Sequence, residues 1–285
     1  SSRDKNDSAQ AATVHARAMQ TVAVWRADLD TLSTAVAVLD STVQVLDTPE
    51  QIAQARSAFS TARLAFKHAE IGLEYYAPST SREINGPALP EVEENEGPDV
   101  VLEPTGFQVV EEGLFGEAPA EASNLRQEVR TLHNVVRRSQ TMMAAQQATD
   151  DRVWDAAKLE VARIVTLGIS GFDSPVAGLS LTEGAAAFEG ISRALAPYRT
   201  DTPEWTTLDA TLREARAALT ASTGRDTFVP PPVFVAHANP VARAIDATRG
   251  ALGIGVPTEL RAFRMDAVTL FDSSAFDALA FAPID

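Results

Sequence analysis

Residues 22–46 have the sequence VAVWRADLDTLSTAVAVLDSTVQVL, in which apolar side chains recur every three or four positions. Because an α-helix turns once in about 3.6 residues, this spacing places those side chains on one face of a long helix. The predicted apolar face consists of Val22, Trp25, Leu29, Leu32, Val36, Leu39, Val43 and Leu46. The stretch therefore predicts a helix that buries one face against another helix.

A second stretch with the same spacing follows after a short turn. At its start, Thr48-Pro49-Glu50-Gln51 provides an N-cap, a proline at the first helical position and a capping-box glutamine. Its apolar face consists of Ile52, Ala55, Phe59, Ala62, Phe66, Ala69, Leu73 and Tyr76. Two long helices joined by a tight turn pack antiparallel, so the two stretches predict half of a helical bundle.

Helical periodicity continues through most of the remaining chain, and we find no convincing pair of strands. It predicts helices at about 107–114, 125–147, 149–167, 182–198, 203–222 and 233–250, and a last one from about Thr258. Pro240 is expected to kink the helix at 233–250 or to mark its true start. The predicted fold is all-α, with two helical bundles or one elongated double bundle. The predicted divisions are a flexible segment at 1–8, a first bundle at 9–147, a second bundle at 148–271 and an extended tail at 272–285.

The segment between residues 78 and 105 is rich in proline and in acidic residues. Its prolines are Pro78, Pro87, Pro90, Pro98 and Pro104. Residues 83–125 contain eleven Asp or Glu and neither Lys nor Arg, which makes this the most acidic part of the chain. Loops of this length are usually functional or disordered, whereas acidic runs usually form solvated surface. We therefore expect a long acidic Pro-rich loop at 78–105.

The composition is that of a globular protein and excludes several classes of function. The 285 residues include 24 Lys and Arg and 39 Asp and Glu, which gives a formal net charge of −15. Because such a surface repels the phosphate backbone, general binding of nucleic acid is disfavoured. Cysteine is absent, which excludes disulfides, Cys-ligated metal sites, covalently attached c-type haem and thiol catalysis within this chain. No run approaches the roughly 18 apolar residues of a membrane span.

The first residues of the chain are polar and contain neither an initiator Met nor an apolar signal core. Residues 1–8 have the sequence SSRDKNDS. Two explanations stay open: a processed chain, with a removed secretory signal or a lipid-carrying Cys upstream of Ser1, or a trimmed boundary. The first explanation predicts a periplasmic or cell-surface protein, such as a lipoprotein.

The sequence lacks the common catalytic and nucleotide-binding signatures. It contains no P-loop, no Rossmann glycine fingerprint, no His-Glu-x-x-His helix and no Gly-x-Ser-x-Gly elbow. No two of the four histidines are three or four residues apart, so no helix carries a two-His metal face. We therefore expect no catalytic residue in this chain.

Carboxylates are the candidate metal ligands. Glu70 and Glu74 are four residues apart on the second predicted helix, so both side chains lie on one face. Like charges at this spacing repel each other unless a cation lies between them. That cation is either an Arg, such as Arg63 or one from a neighbouring helix, or a hard metal ion held as in carboxylate sites of helical bundles.

A short predicted helix after the acidic loop carries two more carboxylates, Glu111 and Glu112. The topology allows this helix to return beside the first pair of glutamates. Tyr75 and Tyr76 belong to the same region, where their hydroxyls could donate hydrogen bonds to metal ligands.

The segment Gly106-Phe107-Gln108-Val109-Val110-Glu111 resembles the Gly-x-His-x-x-Glu motif of the imelysin-like family. A closer resemblance is to the imelysin-like N-terminal region of bacterial di-haem cytochrome c peroxidases, and it spans most of the chain. The motifs that carry it are ARLAFK at 62–67, Glu70, EYYAP at 74–78, INGP at 84–87, LPEVE at 89–93, EPTGFQVVEE at 103–112, TLGISGFDSP at 166–175, NP at 239–240 and LFDSSAF at 270–276.

The resemblance implies an elongated domain of two four-helix bundles, in agreement with the periodicity. Together with the carboxylates described above, it predicts a metal site, for iron or calcium. The predicted ligands are Glu70, Glu74, Glu103, Gln108 and Glu111, with Tyr75, Tyr76 and Glu112 beside them.

Two departures from the family pattern limit what the resemblance implies. Gln108 occupies the position of the family's His. A neutral amide cannot act as a general base, so a hydrolytic role is disfavoured. If the family's His is a metal ligand, its replacement by Gln108 should also lower the affinity for iron. In the peroxidases a haem domain with Cys-x-x-Cys-His motifs would follow, whereas this chain has no Cys. Peroxidase activity is therefore not expected in this chain.

These observations predict a non-enzymatic imelysin-like module of the periplasm or cell surface. It would bind or position a partner, either a di-haem cytochrome c peroxidase or another c-type cytochrome, because an acidic surface attracts a basic protein. The first alternative is a metal-binding component of iron acquisition, and the second is a structural or assembly subunit of a surface structure. A peptidase is disfavoured because no nucleophile–base pair is visible.

Overall fold

Helices make up nearly all of the regular structure in the part of the chain that is described. The computed structural model describes residues 2–86, 91–92, 101–117, 121–222 and 231–257, with Arg264, Ala267 and Ala275. The helices are α1 (Ser2–Thr42), α2 (Pro49–Tyr76), α3 (Pro78–Asn85), α4 (Gly106–Phe115), α5 (Ala122–Ala144), α6 (Asp150–Arg163), α7 (Ser180–Leu195), α8 (Pro203–Ser222) and α9 (Pro231–Ala251). The all-α fold class is confirmed.

The antiparallel pair α1 and α2 forms where the two apolar stripes predict it. The capping box at the start of α2 is present: the Thr48 hydroxyl accepts a hydrogen bond from the Gln51 amide at 3.3 Å, and the Gln51 side chain accepts one from the Thr48 amide at 3.0 Å. Pro49 occupies the first turn, where its missing N–H costs nothing. Residues 2–8, expected to form a flexible segment, are helical and begin α1.

The segment predicted as a long acidic Pro-rich loop at 78–105 contains a short helix and a short strand pair. Pro78 begins α3 instead of ending helical structure, because proline is well suited to the first turn of a helix. Strands β1 (Glu91–Val92) and β2 (Val101–Leu102) then pair antiparallel, with Glu91 opposite Leu102. A two-residue pair is too short to produce an alternating pattern, so periodicity could not detect it.

The helices after residue 121 largely follow the predicted bounds. A π-helical turn, Ile164–Gly168, extends α6, and a 3₁₀ turn, Ala196–Tyr198, extends α7. Helix α9 begins at Pro231 and continues through Pro240, so Pro240 does not mark its start. The predicted helix from Thr258 and the predicted tail at 272–285 lie almost wholly outside the described residues.

Two clusters of buried apolar side chains hold the helices together. The first cluster contains residues of the C-terminal part of α1, α2, α4 and α5. The second contains residues of α6, α7, α8 and α9, together with Ala18, Val22 and Trp25 of α1. Helix α1 therefore contributes to both clusters. The domain boundary predicted at residues 147/148 falls between α5, a helix of the first cluster, and α6, a helix of the second. Among the described residues, no helix is long and apolar enough to cross a membrane.

Candidate functional site

A row of charged side chains follows one face of α2. It consists of Arg63, Lys67, Glu70 and Glu74, which follow one another at intervals of four, three and four residues. The first three side chains are at most 3% exposed. Removing so many charges from water is costly unless each of them finds a partner.

Side chains from α3, α4, α6, α7 and the segment before α7 meet this row. Helix α7 approaches α2 closely because residue 190 is glycine: a Cβ there would lie 3.0 Å from the carbonyl oxygen of His68. We call the resulting set of residues the charged network. Its members are Arg63, Lys67, Glu70, Glu74, Asn85, Glu111, Glu160, Arg163, Asp173 and Glu183.

Arg63 is the most completely paired member of the charged network. Its Nε and Nη2 bind the two carboxylate oxygens of Glu183 at 2.7 and 2.5 Å, in a bidentate pair. Its Nη1 donates to the Asn85 side chain at 2.5 Å, and Nη2 also donates to the Asp173 carbonyl oxygen at 3.0 Å. Burial by itself would lower the pKa of Arg63, but the charges of Glu183 and Asp173 outweigh burial and raise it. Arg63 therefore stays charged and ties α2 to α3 and α7.

Lys67 links two carboxylates in the same way. Its Nζ lies 2.8 and 2.9 Å from the two oxygens of Glu70, and 2.8 Å from Oδ2 of Asp173. The other oxygen of Asp173 accepts a hydrogen bond from Asn85 at 3.0 Å. Burial would raise the pKa of Asp173, but Lys67 and Arg63 lower it well below its usual range. Asp173 is thus held as an anion inside the protein.

Arg163, the last residue of α6, lies between the two predicted metal ligands of α2. Its Nη2 is 3.1 Å from Oε1 of Glu70, and its Nη1 is 3.1 Å from Oε2 of Glu74. Ser81 also donates a hydrogen bond to Glu74 at 2.6 Å. Arg163 is therefore the cation from a neighbouring helix that the spacing of the two glutamates requires. The other arginine considered for this role, Arg63, binds Glu183 instead.

The other predicted ligands are distributed over three different environments. Glu111 is buried, and its Oε1 accepts hydrogen bonds from the Ser174 hydroxyl at 2.8 Å and the Ala177 amide at 2.7 Å. Gln108 is buried and lines a cavity of about 250 Å³ together with Glu74 and Arg163. The structure thus places Gln108 at the same cavity as Glu74, while Glu111 binds the segment before α7. Glu103 and Glu112 are exposed.

The two tyrosines have different surroundings. The Tyr75 hydroxyl donates to Oδ2 of Asp155 on α6 at 2.5 Å. The Tyr76 ring packs against Trp25 with a centroid distance of 5.7 Å, and its buried hydroxyl has no partner among the described residues. Burial raises the pKa of Tyr76 to about 12. These contacts connect the two tyrosines to α6 and α1 rather than to the predicted ligands.

Glu160 is a buried carboxylate that no sequence pattern singles out. Its side chain is 2% exposed, and its Oε1 has no hydrogen-bond partner among the described residues. Burial and the nearby charge of Glu70 raise its pKa well above the usual value, although Arg163 opposes this effect. Glu160 and Arg163 both line a second cavity, of about 410 Å³.

The sequence contains a signal for part of this network but not for the rest. Arg63, Lys67 and Glu70 follow one another at intervals of four and three residues, as the residues of the apolar face of α2 do. This spacing indicates that the three side chains share one face of α2. Asp173 and Glu183 lie 106 and 120 residues away from the side chains that they bind, and no local pattern marks them. Within the described residues, no group of three or more His, Asp or Glu has the arrangement of a metal site.

Comparison of the sequence with models of protein families gives no match, and comparison with curated proteins gives none either. A function for this protein therefore has to be inferred from its own residues and their chemistry.

Proposed function

We propose that this protein is a non-enzymatic imelysin-like module of the periplasm or cell surface that binds or positions a basic haem protein. The partner is a di-haem cytochrome c peroxidase or another c-type cytochrome. We also propose that the helices form the elongated double four-helix bundle of that family. Two hydrophobic clusters and the ordered sequence motifs support this arrangement.

The distribution of the acidic residues is the observation that carries the proposal. Inside the protein, Lys67 and Arg163 are bound to Glu70, Glu74 and Asp173. On the surface, residues 83–125 contain no Lys or Arg of their own, although Glu83 pairs with Arg138 of α5. The exposed acids of this stretch are Glu103, Glu112, Glu117 and Glu121. We call these four residues the acidic patch.

An acidic patch of this kind suits a partner whose surface is basic. Complementary charges steer the encounter of two proteins and accelerate association at low salt. Small c-type cytochromes with a basic surface around the haem edge would provide such a partner. A catalytic role is disfavoured by Gln108, whose amide does not titrate near neutral pH, and by Glu111, whose Oε1 is already occupied by hydrogen bonds.

Titration of the full chain with a small basic c-type cytochrome tests this function. We expect binding at low ionic strength that weakens steeply as salt is added. The triple variant Glu112→Gln, Glu117→Gln, Glu121→Gln should weaken binding about tenfold or more. The matched control, Asp201→Asn, Glu204→Gln, Glu214→Gln, removes the same charge from the start and surface of α8 and should bind like the wild type.

Two results would contradict the proposal. One is the absence of binding at low ionic strength with this cytochrome and with a di-haem peroxidase. The other is an equal loss of affinity in the two triple variants, which would mean that net charge alone drives the association.

A metal-binding role in iron acquisition is the second candidate, and the excess of carboxylates in the charged network favours it. Besides burial, the charges of Glu70 and Glu74 raise the pKa of Glu160, so the three carboxylates lie near one another. Equilibrium dialysis with Fe²⁺ and Ca²⁺ tests this role. If a metal binds at the predicted ligands, Glu70→Ala and Glu111→Ala should each lower the stoichiometry. Unchanged binding in both variants would exclude this site.

A further inference from the structure

A cavity of about 250 Å³ lies where the end of α2, helix α3, the start of α4, the π-helical turn and the segment before α7 meet. Two glycines with positive φ bring α3 and α4 together here. A Cβ at Gly86 would overlap the carbonyl group of Thr105, and glycine alone adopts this backbone readily. A Cβ at Gly106 would likewise overlap the carbonyl group of Ile84. This close approach places Gln108, in the first turn of α4, on the cavity wall.

The side-chain amide of Gln108 is an open polar group at this cavity. Gln108 is 6% exposed, and its amide has no hydrogen-bond partner among the described residues. Unlike Oε1 of Glu160, neither amide atom is shut off from water, so a molecule in the cavity can reach both. Buried polar groups of native proteins almost always have a partner. The amide therefore calls for a partner that enters the cavity.

The charged side chains at the cavity favour a neutral partner. They comprise two acids, Glu74 and Asp173, and two bases, Arg82 and Arg163. Glu74 is paired with Arg163, and Asp173 is paired with Lys67. Because both acids already have a cation inside the protein, an ionic ligand would have to compete with an existing pair. A neutral molecule meets no such competition.

The amide and the mouth of the cavity restrict the kind of neutral molecule. Hydroxyl groups suit the amide, which presents a donor and an acceptor side by side, because a hydroxyl both donates and accepts. Phe172 lines the cavity and is 56% exposed, more than any other large apolar residue in the described part of the chain. The negative face of its ring attracts C–H bonds, and Pro78 and Leu167 add apolar surface. A sugar ring combines hydroxyls at its edge with C–H bonds on its faces.

We propose that this cavity binds a neutral monosaccharide, with the sugar ring on Phe172 and two adjacent hydroxyls on Gln108. One hydroxyl accepts a hydrogen bond from Nε2 of Gln108, and its neighbour donates one to Oε1. The cavity volume lies just below the range of drug-sized pockets, about 300 to 1,000 Å³, and so suits one sugar ring rather than an oligosaccharide. This site does not depend on the acidic patch or on the proposed haem-protein partner.

Saturation-transfer NMR of the full chain with D-glucose, D-galactose and D-mannose tests the proposal. The titrations contain EDTA, which removes metal ions that could mediate binding. We expect at least one of the three hexoses to bind at millimolar concentration. The uronate of the same hexose should bind more weakly, because its charge would have to compete with the existing ion pairs. Glycerol has adjacent hydroxyls but no ring, and it should bind about tenfold or more weakly than the hexose.

Two variants connect the binding to the cavity. Gln108→Met keeps the length of the side chain but removes the amide, so it should lower the affinity for the hexose about tenfold. Its thermal stability should match that of the wild type, since the amide has no partner in the described protein. Phe172→Ala removes the exposed ring and should lower the affinity about threefold to tenfold. The matched controls, Gln127→Met on the exposed surface of α5 and Val176→Ala in the same segment as Phe172, should bind like the wild type.

Three results would overturn the proposal. The first is no saturation transfer to any of the three hexoses, which would leave water as the partner of Gln108. The second is hexose binding that EDTA abolishes, which would make a metal ion the binding group. The third is unchanged hexose binding by Phe172→Ala, which remains informative even if Gln108→Met fails to fold, because Phe172 lies on the surface.

Discussion

The charged network has two halves that differ in how completely their polar atoms are paired. Around Arg63 and Lys67, hydrogen bonds occupy the carboxylates of Asp173 and Glu183. On α6, Oε1 of Glu160 and Nε of Arg163 are buried but have no partner among the described residues. Arg63, Lys67 and Glu160 are at most 3% exposed, whereas the Arg163 side chain is 24% exposed. Glu160 is thus as buried as the paired side chains, and pairing is what separates it from them. The paired half therefore holds helices together, whereas the open half leaves two buried polar atoms without a partner.

The pKa values of the two halves move in opposite directions from their ordinary values. That of Asp173 is lowered, since Lys67 and Arg63 outweigh its burial. That of Glu160 is raised, because burial and Glu70 outweigh Arg163. Asp173 therefore contributes stability above its ordinary pKa of 3.8, and this contribution is lost as the pH falls. Glu160 lowers stability as the pH rises above its ordinary value of 4.5.

Removing Arg63, which holds the paired half together, should have the largest effect on the free energy of unfolding. Arg63→Met leaves Glu183, Asn85 and Asp173 buried without their donor, so we expect the free energy of unfolding to fall by about 3–5 kcal/mol. Chemical denaturation measures this change. The control Arg213→Met removes an exposed pair with Asp209 and should cost less than about 1 kcal/mol. If Arg63→Met lowered the free energy of unfolding by less than about 1 kcal/mol, the proposed role of Arg63 in holding α2, α3 and α7 together would be refuted.

Separating the helices that carry the paired half should have the next largest effect. In Gly190→Ala, the new Cβ would press on the backbone of α2 at 3.0–3.2 Å, and we expect a loss of about 1–3 kcal/mol. Gly250→Ala is the matched control, because no atom lies within 4 Å of its Cβ position at the end of α9. It should be neutral or slightly stabilising. Equal thermal stability of the two variants would argue against close packing of α7 on α2.

Removing the charge of Glu160, in the open half, should have the smallest effect on the free energy of unfolding, and it should stabilise the protein instead of destabilising it. A raised carboxyl pKa means that the folded state holds the proton more tightly than the unfolded chain does. Glu160→Gln should therefore raise the free energy of unfolding at pH 7, because the neutral amide carries no charge whose burial opposes folding. The advantage should shrink as the pH falls toward 4.5. A variant that is less stable than the wild type at pH 7 would show that Glu160 is paired in solution.

The same contrast separates what the sequence predicts from what it does not. The apolar faces of α1 and α2 and the capping box at Thr48 follow from local spacing, and so does the need for a cation between Glu70 and Glu74. Local spacing cannot supply the partner of Arg63, because Glu183 is 120 residues away. The start of α3 at Pro78 escapes prediction for a different reason: proline both ends one helix and suits the first turn of the next.

The unpaired atoms of the open half are also beyond the reach of local patterns. Glu160 is the residue before Val161, which is buried in the apolar core, and nothing in the sequence indicates that the Glu160 oxygen lacks a hydrogen-bond donor. Whether a buried carboxylate is paired depends on side chains from α2 that pack against it. Its environment is therefore a property of the folded chain alone.

A crystal structure of the full chain, purified from its native source without chelator, tests the division into a paired and an open half most directly. We predict that Lys67 bridges Glu70 and Asp173, that Arg163 lies between Glu70 and Glu74, and that no protein group donates a hydrogen bond to Oε1 of Glu160. A metal ion bound by Glu70 and Glu74, with Arg163 turned away from both, would contradict this division.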